Sequence, residues 1–178
     1  MIDEIFAWPV RKYHLTNDRI TGWATTLYND ERDKRSSPLK IDVTNVDGYY
    51  MPLYADVLEE FIKDLGLGET HHGIISHAIF CGLEKGDSLS PCITLPSHYT
   101  ITHYIKGNSA DVFYHPAKHL VSLFSPNIDE WTSAMSLYVN EGDIVIHPSY
   151  LEYSTPQVDK QRLSFTFLME LEPKEWTK

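Results

Sequence analysis

Cysteine is scarce: Cys81 and Cys92 are the only two in the chain, and neither sits in a zinc-type spacing. A disulfide framework is thereby ruled out, and under reducing conditions both residues should remain thiols. Positive charge is scarce as well, with 15 Lys and Arg against 25 Asp and Glu and a formal net charge of −10. Neutralising phosphates takes clustered cations, and the only adjacent basic pairs are Arg11-Lys12 and Lys34-Arg35, so no nucleic-acid partner is expected. No apolar run approaches the roughly 20 residues of a membrane-spanning helix. Met1-Ile2-Asp3-Glu4-Ile5 lacks the cationic start and apolar stretch of a signal peptide. These features predict a cytoplasmic protein without a membrane partner.

With 178 residues, 42% of them hydrophobic and 22% charged, the chain can bury a core of ordinary composition, which removes the disordered and low-complexity classes. One domain over 1–178 is expected, with an N-terminal strand and helices in 1–70 and a β-roll in 71–172. From Leu53 to Leu65 the apolar residues Leu53, Tyr54, Val57, Leu58, Phe61, Ile62 and Leu65 recur at helical spacing, with acids and Lys63 opposite. Pro52 suits the first turn of this helix, and Gly66 or Gly68 its left-handed end. Glu31 to Pro38 is expected as a polar loop, and a shorter helix should include Trp23 and Leu27.

After Gly68 the pattern becomes short β-rich runs broken by Gly, Pro, Asn and Asp, as in antiparallel sandwiches and barrels. Strands are expected near His72 to Leu83, Tyr99 to Lys106, Asp111 to Tyr114, Leu120 to Phe124, Met135 to Val139, Asp143 to His147 and Gln161 to Leu171. No helical crossover separates them, which argues against a parallel sheet. The last run is the most informative: Leu163, Phe165, Phe167 and Met169 share one face, and Arg162, Ser164 and Thr166 the other. If helices cover the apolar face, Arg162 points into the roll, where it is a costly buried charge unless something anionic meets it.

The segment Gly142-Asp143-Ile144-Val145-Ile146-His147-Pro148-Ser149-Tyr150-Leu151-Glu152-Tyr153-Ser154-Thr155-Pro156, followed by Arg162-Leu163-Ser164-Phe165, resembles the C-terminal half of a 2-oxoglutarate/Fe(II)-dependent oxygenase. Weaker matches extend the resemblance towards the N-terminus. Ile5-Phe6-Ala7-Trp8-Pro9-Val10 is similar to that family's opening strand, and Gly22-Trp23 to its early Gly-Trp. Lys85-Gly86-Asp87-Ser88-Leu89-Ser90-Pro91-Cys92 with Thr100-Ile101-Thr102-His103-Tyr104-Ile105-Lys106 is similar to the strand pair carrying its His-x-His or His-x-Asp element. The resemblance implies a mainly β (α+β) fold, a double-stranded β-helix or jelly roll with one or two N-terminal helices packed on one sheet. It also implies a carboxylate clamp for the cosubstrate or another anion at Arg162, Ser164 and Tyr104, since a forked guanidinium suits a carboxylate.

At the three iron-ligand positions the resemblance places Cys92, Thr94 and Tyr153 where the family has His, His or Asp, and His. A neutral hydroxyl, a phenol with a reference pKa of about 10 and a thiol make a poor replacement for imidazoles and a carboxylate. No cofactor is therefore expected of the substituted site, and Fe(II) and 2-oxoglutarate are expected only if it is active. A rival register lays Gly107, Phe113, His115 and His119 on a cupin-like pattern, which together with His103 leaves alternative metal candidates. Three readings follow: a degenerate, non-catalytic oxygenase-like protein repurposed for binding a small carboxylate or a protein, an active hydroxylase with unusual ligands, and a structural or assembly scaffold. A homo-oligomer is compatible with each.

Overall fold

The computed structural model describes residues 10–34, 36–45, 51–94, 96–114, 116 and 134–174. The alternation at the C-terminal end organises the whole molecule. It forms β10 (Arg162–Pro173), the long strand between β3 (His71–Leu83) and β5 (Tyr99–Lys106). Its residues Leu163, Phe165, Phe167 and Met169 are buried in one cluster with α1 (Asp18–Glu31) and α2 (Ala55–Asp64). The sheet continues through β8 (Asp143–Pro148) to β1 (Arg11–His14) on one side and to β2 (Leu39–Asp42) on the other, in the order β1-β8-β5-β10-β3-β2. A second sheet holds β4 (Leu89–Cys92), β9 (Tyr153–Thr155), β6 (Ser109–Tyr114) and β7 (Ala134–Val139) in that order.

Every pairing in both sheets is antiparallel, and from β3 onward the chain passes repeatedly from one sheet to the other. This is the jelly-roll, or double-stranded β-helix, arrangement expected from the sequence, with the helices on the outer face of the six-stranded sheet. No helix among the described residues is long and apolar enough to cross a membrane.

Local chemistry explains the helix bounds. Asn17 caps α1, its side-chain oxygen accepting from the amides of Arg19 and Ile20, and Asp18 complements the positive end of the helix. Ile20, Ala24 and Tyr28 form its buried stripe, and Trp23 stacks on Phe165 with ring centroids 4.5 Å apart. The apolar run begun at Leu53 divides in two: Met51–Tyr54 is a 3-10 turn, and α2 starts at Ala55. At its other end Gly66 adopts φ +73°, and Leu67 donates to the Ile62 carbonyl, closing the helix with a Schellman turn.

The strands expected near His72, Tyr99, Asp111, Met135, Asp143 and Gln161 are all present, whereas Leu120 to Phe124 lies outside the described residues. β4 falls in the segment 85–92 that the resemblance gives as a strand, the opening segment 5–10 lies outside the described residues but for Val10, and β1, β2 and β9 match none of the strand runs read from the pattern. At three or four residues each, β1, β2 and β9 carry too little alternation to stand out.

Strand parity sends His103 outward, towards the helices, with Ile101 and Ile105. Its Nδ1 accepts from the Tyr54 hydroxyl at 2.8 Å, and its Nε2 donates to the Leu15 carbonyl at 2.9 Å, which fixes the neutral tautomer and ties the N-terminal segment to the sheet. Burial lowers its pKa from the usual 6.5 to about 4. His147, on the roll-facing side of β8, is likewise lowered to about 4 by burial.

The unfolded chain thus binds protons in a range where the folded chain does not. The stabilisation from each imidazole is complete above about pH 6.5 and is lost as the pH falls towards about 4. Urea midpoints measured across that window should fall with a slope that includes about 1.4 kcal/mol per pH unit from each histidine. His103→Gln should flatten the profile by one proton's worth, and an unchanged slope in this variant would contradict the assignment.

Candidate functional site

The interior of the roll is lined from both sheets by the residues whose parity turns them away from helices and solvent. Tyr104, Val145, Phe113, Val139, Leu151 and Tyr153 form its apolar part. Among them lie buried polar residues: Thr100, Thr102, Asp111, His147, Ser149, Thr155, Arg162 and Ser164. A protein interior tolerates such groups only when they are partnered, so each side chain's partner is the informative quantity.

Arg162 begins β10, where the β5–β6 turn passes close against it. Gly107 makes that approach feasible, with φ +83° and no room for a Cβ, which would overlap the Gln161 carbonyl oxygen. The guanidinium meets the Asp111 carboxylate from β6 in a two-pronged pair, Nη1 to Oδ1 at 2.7 Å and Nη2 to Oδ2 at 3.0 Å. Nη1 also donates to Ser109 Oγ at 2.8 Å, and the guanidinium carbon stands 4.6 Å from the centroid of the Tyr104 ring.

Asp111 receives two further donors. The Thr155 hydroxyl reaches Oδ1 at 2.7 Å, and the Tyr104 hydroxyl donates to Oδ2. The two charged side chains are 3% and 1% exposed, so water contributes almost nothing to their solvation. Burial alone would lower the arginine pKa, but Asp111 and Tyr104 reverse this and hold the guanidinium firmly protonated. Arg162 Nε alone is buried without a partner among the described residues. The third residue of the anticipated clamp, Ser164, is buried on the same face of β10, in register with Tyr104 on one side and Cys81 on the other. The structure therefore brings Arg162, Ser164 and Tyr104 together, and it adds an anion that belongs to the chain itself.

The three positions matched to iron ligands divide differently. Cys92 of β4 stands opposite Tyr153 of β9 in the register of the four-stranded sheet. Burial raises the Cys92 pKa, only partly offset by the charge of Lys40, and it raises the Tyr153 pKa as well, with the neighbouring Cys92 adding to the shift. Both groups thus keep their protons at neutral pH. Thr94 lies beyond the end of β4, and its hydroxyl turns to Thr100. From there the hydroxyls continue to Ser149 at 2.9 Å and Ser97 at 2.8 Å, and Ser97 returns to the Thr94 carbonyl at 3.0 Å. The ring closes on itself.

His147 stands beside this group, 5.1 Å from Tyr153 and 5.0 Å from Phe113 between ring centroids, with Nδ1 2.9 Å from the Pro148 carbonyl. Its place in the roll, and that of Asp111, follow from parity with Val145 and Phe113, a signal present in the sequence but not used for these two residues.

His103 is on the opposite face of the sheet with both ring nitrogens engaged, and His115 and His119 lie outside the described residues. Among the described residues no group of three or more His, Cys, Asp or Glu could hold a metal ion. A protonated thiol, a protonated phenol and a hydroxyl committed to its neighbours do not fit Fe(II), and a guanidinium already paired with a carboxylate does not fit a second one.

The ion pair generates a direct test. Removing one partner strands a buried charge, so Arg162→Met and Asp111→Leu should each cost about 3–5 kcal/mol in urea unfolding. The double variant should cost far less than the sum, because two apolar side chains leave no charge uncompensated. Strict additivity would contradict the pairing.

No protein-family model matches the chain, and no curated protein matches it in sequence. Solved structures do match over nearly its whole length. A 2OG-Fe(II) oxygenase family oxidoreductase from Burkholderia pseudomallei superposes with a TM-score of 0.62 at 7% identity, covering 91% of this chain and 84% of its own. A prolyl-4-hydroxylase from Pseudomonas putida gives 0.59 at 9% identity, with 95% and 96% covered. The viral collagen prolyl hydroxylase of Paramecium Bursaria Chlorella virus-1, solved with 2OG, gives 0.58 at 8% identity, with 92% and 96% covered. The chain has the double-stranded β-helix fold of the 2-oxoglutarate/Fe(II) oxygenases.

Proposed function

We propose that this protein is a non-catalytic, oxygenase-like module in which the iron site has been given up and the roll serves as a binding scaffold. One observation carries the reading: Cys92 and Tyr153, which the resemblance assigns to iron ligation, stand opposite each other in the β4–β9 pairing as a thiol and a phenol that burial keeps protonated. A metal would have to displace a proton for each bond it made to this pair, against the burial that favours the neutral thiol and phenol. The third position, Thr94, is held in a ring of hydroxyls and carries no charge to offset a divalent ion. The partner class is a protein or a small carboxylate, met on the surface and loops of a rigid roll, which is where this kind of scaffold carries specificity.

Two measurements test this reading. Anaerobic addition of Fe(II) and 2-oxoglutarate should give no metal-to-ligand charge-transfer absorption, and calorimetric titration with Fe(II), Co(II) or Ni(II) should give no saturable heat. A charge-transfer band, or succinate formed from 2-oxoglutarate at a rate lost in Tyr153→Phe, would establish the opposite reading of an active oxygenase with unusual ligands.

A further inference from the structure

We infer that the roll contains a complete carboxylate-binding cradle and that its ligand is the chain's own Asp111. The cradle is Arg162 with the hydroxyls of Tyr104 and Thr155, and it places four donors on two oxygens: Nη1 and Thr155 Oγ1 on Oδ1, Nη2 and Tyr104 Oη on Oδ2. Ser109 is bound to the same Nη1 at 2.8 Å and fixes the guanidinium from the side, while the Tyr104 ring stacks over its face. This saturation is what a specific site offers a carboxylate ligand: a planar fork, charge assistance and exclusion of water.

The donors do not come from the carboxylate's own strand. Tyr104 is on β5, Thr155 on β9 and Arg162 on β10, while Asp111 reaches them from β6. The cradle is thus built by three strands and filled by a fourth. A carboxylate tethered to the chain competes at an effective concentration far above that of any free acid, so the filled cradle excludes dissolved carboxylates, 2-oxoglutarate among them.

The cradle therefore has a defined chemistry when its tether is cut. Asp111→Ala removes one carboxylate and leaves a formate-sized vacancy facing Arg162, and Asp111→Gly leaves one of acetate size. The inference concerns the anion site alone and is independent of the fate of the iron positions.

Its test is rescue by small carboxylates. Thermal unfolding of Asp111→Ala should move upward with sodium formate in a saturable way, formate at about ten times its dissociation constant raising the folding equilibrium constant about tenfold. Acetate should do the same better in Asp111→Gly than in Asp111→Ala. Sodium chloride at equal ionic strength should do neither, and the double variant Asp111→Ala with Arg162→Met should not respond. The wild-type chain should show no saturable shift with formate or 2-oxoglutarate.

If Asp111→Ala does not fold in chloride, refolding yield replaces the melting midpoint, and it should appear in formate and be absent in chloride. Equal behaviour in formate and chloride, equal rescue of the double variant, or a saturable response of the wild type would overturn the inference. None of these outcomes decides whether the protein binds Fe(II), so the two readings fail separately.

Discussion

A buried ion pair, Arg162 with Asp111, joins the two sheets of this roll. Arg162 belongs to the six-stranded sheet and Asp111 to the four-stranded one, and their hydroxyl partners come from both: Tyr104 from the first, Thr155 from the second. The pair therefore acts as a cross-tie at the place where sheets of a jelly roll otherwise meet through apolar packing alone. Whether such a tie adds net stability is a separate matter, since the loss of hydration can equal the attraction. What it adds without ambiguity is specificity: any slip of β6 or β10 by one residue would turn one of the charges outward and leave the other buried alone.

The remainder of the interior follows the same logic of self-sufficiency. The thiol of Cys92 and the phenol of Tyr153 face one another across the β4–β9 pairing, and burial keeps both protonated. The hydroxyls of Thr94, Thr100, Ser149 and Ser97 close a ring, and His147 is held neutral among Phe113 and Tyr153. Among the buried side-chain nitrogens and oxygens of the described residues, Arg162 Nε alone has no hydrogen-bond partner.

Much of the architecture was readable in the residues. The alternation of Leu163, Phe165, Phe167 and Met169 against Arg162 and Ser164 gave β10 and its two faces, and the 3.6-residue period after Leu53 gave α2. The demand of Arg162 for an anion is readable too, but the partner is not, because Arg162 and Asp111 meet only across the two sheets. Asp111 reads as the start of a strand, and parity with Phe113 places it inside. β4 and β9, the strands that carry Cys92 and Tyr153, were too short to show a period, so their mutual contact depended on a tertiary pairing that local pattern does not encode. His103 went the other way: its parity with Ile101 and Ile105 already placed it on the helix side, where Tyr54 and Leu15 engage it.

The cross-tie is the central claim, and the side-chain nitrogens of Arg162 report on it directly. In ¹⁵N-resolved spectra the Arg162 guanidinium protons should appear as separate, slowly exchanging resonances, because both prongs are held by Asp111 and sheltered from water. They should not move when 2-oxoglutarate is added to saturating concentration. A single averaged, rapidly exchanging signal, or resonances that shift with the cosubstrate, would contradict the account.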